Sequence, residues 1–226
     1  KISNGKTDRI TTDKGYHTGE LSADGKYLMV SRTAPNVPAR SDIISAKGDL
    51  VKNLLTSPDP LENKVHATIE LTTLKADDST TLYGRLVKPS FFDPEKKYPV
   101  VVYVYGGPHV QLINKSWLYG AGLWMLHLAE QGYLVFTVDN RGSAHRGLDF
   151  EQATFRNLGA AEIADQLTGV EYLKSLPYAD TDNMAVYGWS FGGFMATSLM
   201  LRTPGIFNVA VAGGAVTDWR SYEVMY

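Results

Sequence analysis

Residues 16–55 carry short apolar runs broken by turn signals, a pattern that predicts an all-β segment. Ala23-Asp24-Gly25 precedes the strand Tyr27-Leu28-Met29-Val30, and Lys47-Gly48-Asp49 separates a strand near Ile43-Ile44 from one near Leu50-Val51. Ala34-Pro35-Asn36-Val37-Pro38 reads as the loop between them. Such a meander has no partner in the chain on which to close a core, so it is expected to be a piece of a larger β structure. Ser57-Pro58-Asp59-Pro60 follows as a linker.

From His66 onward the pattern changes. Ala67-Thr68-Ile69-Glu70-Leu71 and Leu82-Tyr83-Gly84-Arg85-Leu86-Val87 flank the turn Asp77-Asp78-Ser79 and predict an antiparallel pair. Val100 to Val104, Tyr133 to Val138, Ala185 to Tyr187 and Val209 to Ala212 are short, nearly continuous apolar runs, as expected of strands buried on both faces of a mostly parallel sheet. Helical spacing fills the gaps: Ile163, Leu167, Val170 and Leu173 share one face before Pro177, and residues Trp117 to Leu128 also fit a helix. Strands alternating with helices predict an open α/β sheet, whose active sites gather at the carboxyl ends of the strands.

The sharpest chemical signal lies at one such strand end. Met184-Ala185-Val186-Tyr187-Gly188-Trp189-Ser190-Phe191-Gly192-Gly193 runs from a strand through Gly-x-Ser-x-Gly into the helical pattern of Phe194, Met195, Leu199 and Met200. This is a nucleophile elbow, with Gly188 and Gly192 leaving room for a tight turn and Ser190 as the candidate nucleophile. The backbone N–H of Phe191 is then the first oxyanion donor. A second donor is expected from the turn after an early strand, here Tyr105-Gly106-Gly107-Pro108-His109, through a backbone N–H or through the Tyr105 hydroxyl. The alternative is a tight turn with a buried tyrosine. No Gly-Lys-Ser/Thr follows, which argues against a phosphate loop.

An elbow serine needs a histidine base and an orienting carboxylate, in the chain order Ser, Asp or Glu, His. The five histidines, His17, His66, His109, His127 and His145, all precede Ser190, and the acids after it are Asp218 and Glu223. The triad Asp and His are therefore expected to be absent from this chain. The 226 residues are expected to be part of a larger enzyme and to be inactive alone. His109 and His145 read as loop residues supporting the site. Within Val138-Asp139-Asn140-Arg141-Gly142-Ser143, an Asp-Arg pair is expected to tie a loop down. Asp165 reads as a helix-face or ion-pair residue.

Composition narrows the classes without adding to the site. With 44% hydrophobic and 20% charged residues the chain is ordinary globular material. A net charge of −2 gives no reason to expect nucleic acid, no apolar stretch reaches the length of a membrane span, and the first residues form no signal-peptide h-region. The absence of cysteine excludes disulfides, a thiol nucleophile and a thiolate metal site. No metal and no cofactor are expected.

Tyr-Gly-Gly-Pro-His at 105–109, Val-Asp-Asn-Arg-Gly-Ser at 138–143, Gly-Trp-Ser-Phe-Gly-Gly at 188–193 and Asp-Trp-Arg-Ser-Tyr-Glu-Val-Met-Tyr at 218–226 resemble, in this order and spacing, the dipeptidyl peptidase IV branch of the prolyl oligopeptidase family. Within it the chain looks most similar to bacterial prolyl tripeptidyl aminopeptidases. The resemblance covers about residues 16–226. It implies an α/β-hydrolase domain, incomplete at its C-terminus, preceded by a remnant of a β-propeller. Residues 1–60 would hold the remnant and linker, and 61–226 the N-terminal part of the peptidase domain. It also implies a serine exopeptidase that releases N-terminal di- or tripeptides after proline. Ser190 would be the nucleophile, with the Tyr105 hydroxyl joining the Phe191 N–H in the oxyanion hole. Tyr222 and Tyr226, with Val216 and Trp219, would line the proline pocket. Flat aromatic faces suit a rigid pyrrolidine, and residues four apart share a face if that segment is helical. The implied partners are peptides with proline at the cleaved bond, the whole protein is open to forming a homodimer, and the implied location is a bacterial periplasm or surface. A broader acylaminoacyl peptidase or esterase, which need not share the two tyrosines, is the competing enzyme. A non-catalytic interaction module on a hydrolase scaffold is the competing non-enzyme.

Overall fold

The computed structural model describes Gly5, Thr7 and residues 9–222. The chain forms two compact units, residues 1–64 with 114–120, and residues 65–113 with 121–226.

The first unit is an antiparallel meander of β1 (Tyr16–Leu21), β2 (Tyr27–Ala34), β3 (Val37–Ser45) and β4 (Leu50–Thr56), hydrogen-bonded in that order. Four such strands make up the blade that a β-propeller repeats. Every residue of β4 is exposed, Leu50, Val51, Leu54 and Leu55 included, so this sheet lacks a buried second face of its own. The expected loop at 34–38 shrinks to a two-residue turn, Pro35-Asn36, because Ala34 pairs directly with Val37. Pro38 thus lies inside β3. A proline with no N–H is tolerated there because the β2–β3 register shifts between Arg32 and Ala34.

The second unit is a six-stranded sheet in the order β10-β9-β7-β8-β6-β5. β5 (Thr68–Lys75) and β6 (Thr81–Lys88) form the expected hairpin around Asp77-Asp78-Ser79. β6 runs antiparallel to β8 (Leu134–Asp139). β7 (Tyr98–Tyr103), β8, β9 (Ala179–Trp189) and β10 (Val209–Gly213) run parallel. The helices are α1 (Leu123–Glu130), a single turn α2 (Leu148–Glu151), α3 (Ala161–Lys174) and α4 (Phe191–Arg202). From β7 the chain steps to β8 on one side, then returns to place β9 on the other. The carboxyl end of β7 is thus the switch point where an open α/β sheet opens a crevice.

Two expectations need correction. All of β8 is buried, but β10, with a single neighbour at the sheet edge, leaves Val209 and Val211 exposed at 54% and 56%. The single helix expected over 117–128 is a 3₁₀ turn, Trp117–Gly120, followed by α1. Leu118 and Tyr119 both take φ 54 there, Gly120 lies at φ 79, and a Cβ at Gly122 would come 2.8 Å from the Trp124 ring.

The sheet buries charges as well as the apolar core of Leu82, Leu86, Val102, Phe136, Met184 and Leu199. The expected Asp139–Arg141 pair does not form. Asp139 instead accepts from Arg146 Nη2 at 2.9 Å, and Arg141 grips Asp165 of α3, through Nη2 at 2.8 Å and its own backbone N–H at 2.7 Å. Arg141 also reaches Asp77 and Asp78 in the β5–β6 turn, each at 2.8 Å. Its partners therefore come from the hairpin and α3, which no local spacing reveals. Burial pushes the Asp165 carboxyl above the usual carboxylate range, with the Arg141 hydrogen bonds pulling the other way.

Removing the arginine should leave a buried, unpaired carboxylate. Arg141→Ala is expected to cost about 3–5 kcal/mol in urea unfolding. Asp165→Asn should cost less, because Arg141 keeps the exposed Asp77 and Asp78. A group whose folded-state pKa lies above its unfolded value loses stability as pH rises through it. The Arg141→Ala deficit should therefore narrow as the pH is lowered from about 8 toward about 5. Equal costs for the two variants, or a deficit unchanged with pH, would show that the pair does not act in this way.

Candidate active site

Ser190 occupies the turn between β9 and α4 at φ 57 and ψ −118, a backbone conformation costly for any residue with a Cβ. Its N–H donates to the Gly213 carbonyl at 2.8 Å, and its carbonyl accepts from Phe194 N–H at 3.1 Å. The hydroxyl does not cap the helix it precedes, and the residue is half-buried. The side chain is thus displayed, not spent on local structure.

The glycines are required by backbone crowding. A Cβ at Gly188 would lie 2.1 Å from the Gly192 carbonyl oxygen, and one at Gly192 would lie 2.3 Å from the Val104 carbonyl oxygen. At Gly193 it would lie 2.4 Å from the Gly213 oxygen, and at Gly213 it would strike the Trp189 ring at 2.0 Å. Backbone cannot yield as a flexible side chain does. Gly193 therefore belongs to the elbow as firmly as the two glycines that the sequence pattern picks out, whereas Gly213 makes room for the Trp189 side chain.

Strand pairing brings the second oxyanion candidate alongside. β7 and β9 run parallel with Tyr103 opposite Tyr187, and Val104 N–H donates to the Tyr187 carbonyl at 2.9 Å. Two residues further on, Tyr105 has left β7, while Trp189 ends β9, still paired with Gly213 of β10. A Cβ at Gly192 would come 3.2 Å from the Tyr105 Cα, and the Tyr105 and Phe191 ring centroids are 6.1 Å apart. Gly106 takes φ 73, and Gly107 has no space for a side chain between the Tyr105 and Phe191 rings, at 2.7 and 2.8 Å. Ser190, Phe191 and Tyr105, far apart in sequence, are thereby gathered at neighbouring strand ends.

Of the expected pocket residues, Trp219 packs on Phe191 and Phe194, each at 5.3 Å between centroids, and on Tyr222 at 5.6 Å. Tyr222 is 50% exposed. Val216 lies half-buried in the irregular segment between β10 and the 3₁₀ turn Trp219–Ser221. Tyr226 lies outside the described residues. Trp219 also borders an open cleft of about 970 Å³, with Pro108, His109, Phe155 and Arg156 on its walls.

No histidine or carboxylate hydrogen-bonds Ser190 among the described residues. His109, at φ 63, pairs through Nδ1 with Glu151. His145, at φ 66, lies in the loop after β8.

Two residues at the site escaped the reading of the sequence. Asn140, 1% exposed, donates through Nδ2 to the Gly106 carbonyl at 3.0 Å, and its Oδ1 accepts from Gln166 of α3 at 3.0 Å. Asn140 lies inside a motif singled out for its charges, and an uncharged amide carries no signal of its own there. Arg85, buried to 1% in β6, donates to the Leu112 carbonyl at 3.0 Å, and Asp139 accepts from the N–H groups of Leu112 and Ile113 at 2.9 and 3.1 Å. Burial pushes the Arg85 guanidinium down to about 10 despite the nearby Asp139 charge. Burial likewise pushes the Asp139 carboxyl up, against these two N–H groups and Arg146. Together they fasten the far end of the segment that begins at Tyr105.

Residues 122–226 match the prolyl oligopeptidase family. Dipeptidyl peptidase 8 of Mus musculus is 41% identical over 228 residues, covering 95% of this chain and 25% of that protein. Dipeptidyl peptidase 4 of Trichophyton equinum is 33% identical over 226 residues, covering 96% of this chain and 29% of that protein. A solved Bacteroides ovatus structure, assigned as a dipeptidyl aminopeptidase IV, superposes with a TM-score of 0.90 at 49% identity over the whole of this chain and 32% of its own. Porphyromonas gingivalis dipeptidyl peptidase 4 superposes with a TM-score of 0.90 at 28% identity, over 99% of this chain and 32% of its own. The chain thus spans about a quarter to a third of the length of these proteins. With an elbow serine at the switch point of an α/β sheet, the chain belongs to the prolyl oligopeptidase family, alongside its dipeptidyl peptidase IV members.

Proposed function

We propose that the protein carrying this chain is a serine exopeptidase that releases N-terminal di- or tripeptides after proline. The observation that carries the reading is the strained Ser190 between β9 and α4, with its hydroxyl unused by the fold. The hydroxyl oxygen attacks the carbonyl carbon that follows the proline ring, the amine of the remaining peptide leaves, and water then hydrolyses the acyl-enzyme. The Phe191 N–H and the Tyr105 hydroxyl hold the oxyanion, and Trp219, Tyr222, Tyr226 and Val216 receive the pyrrolidine. The base and its carboxylate are assigned to positions after residue 226, in the Ser, Asp or Glu, His order of α/β-hydrolases. Residues 1–60 are read as propeller and linker, and 61–226 as peptidase domain. The dipeptidyl names of the relatives favour release of two residues over three. The bacterial origin of the two solved relatives supports a bacterial source for this chain, for which the family resemblance implies a periplasmic or cell-surface location.

The complete gene product should react covalently with a fluorophosphonate at Ser190, seen as an intact-mass shift that Ser190→Ala abolishes. Labelling that survives Ser190→Ala would refute the assignment.

Tyr105→Phe should lower kcat by about 10²–10³ while leaving KM little changed, since a donor that meets only the oxyanion acts in the transition state alone. An unchanged kcat on a proline-containing chromogenic peptide would return Tyr105 to a packing role.

Residues 1–226 expressed alone are expected to give no turnover of that peptide, because Ser190 has no base hydrogen-bonded to it among the described residues. Turnover abolished by Ser190→Ala would overturn this.

A further inference from the structure

We propose that Asn140 is a positioning residue for the oxyanion hole, acting through the Tyr105-Gly106 turn and itself aimed by Gln166. This rests on the reading of Tyr105 as an oxyanion donor.

The geometry forms one continuous relay. Gln166 lies on α3 with 2% exposure, and its Nε2 donates both to the Val138 carbonyl at 3.2 Å and to Asn140 Oδ1 at 3.0 Å. The first of these bonds ties the amide to the end of β8, and the second fixes which way the Asn140 side chain faces. With Oδ1 occupied, Nδ2 must point its two hydrogens outward. They reach the Gly106 carbonyl at 3.0 Å and the Arg141 carbonyl at 2.7 Å. Both the oxygen and the nitrogen of the Asn140 amide are therefore used, and the residue itself is 1% exposed.

The carbonyl it holds belongs to the Gly106–Gly107 peptide, one residue beyond Tyr105. Gly106 takes φ 73, and a Cβ there would fall 3.1 Å from Asn140 Oδ1 and 3.1 Å from Met195 Cγ. The turn is thus pinned between the Asn140 amide on one side and α4, the helix that begins at the nucleophile, on the other. If the carbonyl swings away, the Gly106 backbone is free to leave its φ 73 turn, and the adjoining Tyr105 shifts with it. A displacement of about 1 Å at a catalytic group costs on the order of 10²-fold in rate. The Asn140 side chain bonds Gly106, Arg141 and Gln166, and a residue that acts only through Tyr105 cannot matter more than Tyr105 does.

That ceiling gives the test, a double-mutant cycle on the complete gene product with a proline-containing chromogenic peptide. Asn140→Ala should lower kcat by about 10- to 100-fold with KM nearly unchanged. In a Tyr105→Phe background the same substitution should change kcat by less than about threefold, because the donor it positions is gone. Gln166→Met, which keeps the volume but loses the donor to Asn140 Oδ1, should show the same dependence on Tyr105 with a smaller effect, and it carries the test if Asn140→Ala does not fold. A full fall in kcat for Asn140→Ala that persists in the Tyr105→Phe background would overturn the relay, as would a kcat unchanged by Asn140→Ala in a folded protein. The reading on which it rests fails differently, through a Tyr105→Phe protein with wild-type kcat.

Discussion

Everything at the candidate site depends on how closely two strand ends and one helix start are pressed together. The carbonyl oxygens of Val104, Gly192 and Gly213 occupy the volume where side chains would otherwise begin, at 2.1–2.4 Å from the Cβ positions of three glycines. That approach is possible only for glycine, and it holds Ser190 in a conformation that costs on the order of 1–3 kcal/mol. The surrounding hydrogen bonds from Ser190 N–H to Gly213 and from Phe194 N–H to Ser190 over-determine the turn and keep it from relaxing. Relaxation would return the hydroxyl to capping α4, the local use a serine in that position usually finds.

Around this centre, polar groups inside the sheet fasten the loop that runs from Tyr105 to Ile113. The segment from Tyr105 to Ile113 has no regular structure of its own, so its backbone groups must find partners elsewhere. Asp139, Arg85 and Asn140 supply them at both ends. Each of these residues comes from β6 or from the end of β8, strands whose positions are set by apolar packing. The cost of burying their charges appears in the displaced pKa values of Arg85 and Asp139. What is gained is a loop whose course follows from the sheet itself.

The aromatic residues extend the same logic outward. Phe191, buried at the start of α4, packs on Tyr105 on one side and Trp219 on the other, so one ring links the Tyr105-Gly106 turn to the region read as the proline pocket.

By itself the sequence determined the alternation of strand and helix, the hairpin about Asp77-Asp78-Ser79, and the strand-to-helix turn that holds Ser190. All of these are local: apolar period, turn residues and a ten-residue motif specify them without reference to distant parts of the chain. The tertiary structure alone decided that β7 lies beside β9, which brings Tyr105 to Ser190. It also decided that β10 is an edge strand with Val209 and Val211 exposed, that Arg141 pairs with Asp165 and not Asp139, and that Asn140, held by Gln166, reaches the Tyr105-Gly106 turn. These are long-range pairings between residues whose types are ordinary in their own neighbourhoods. A buried amide or carboxylate becomes informative only when the strand opposite it is known, and strand order is set by the packing of whole elements.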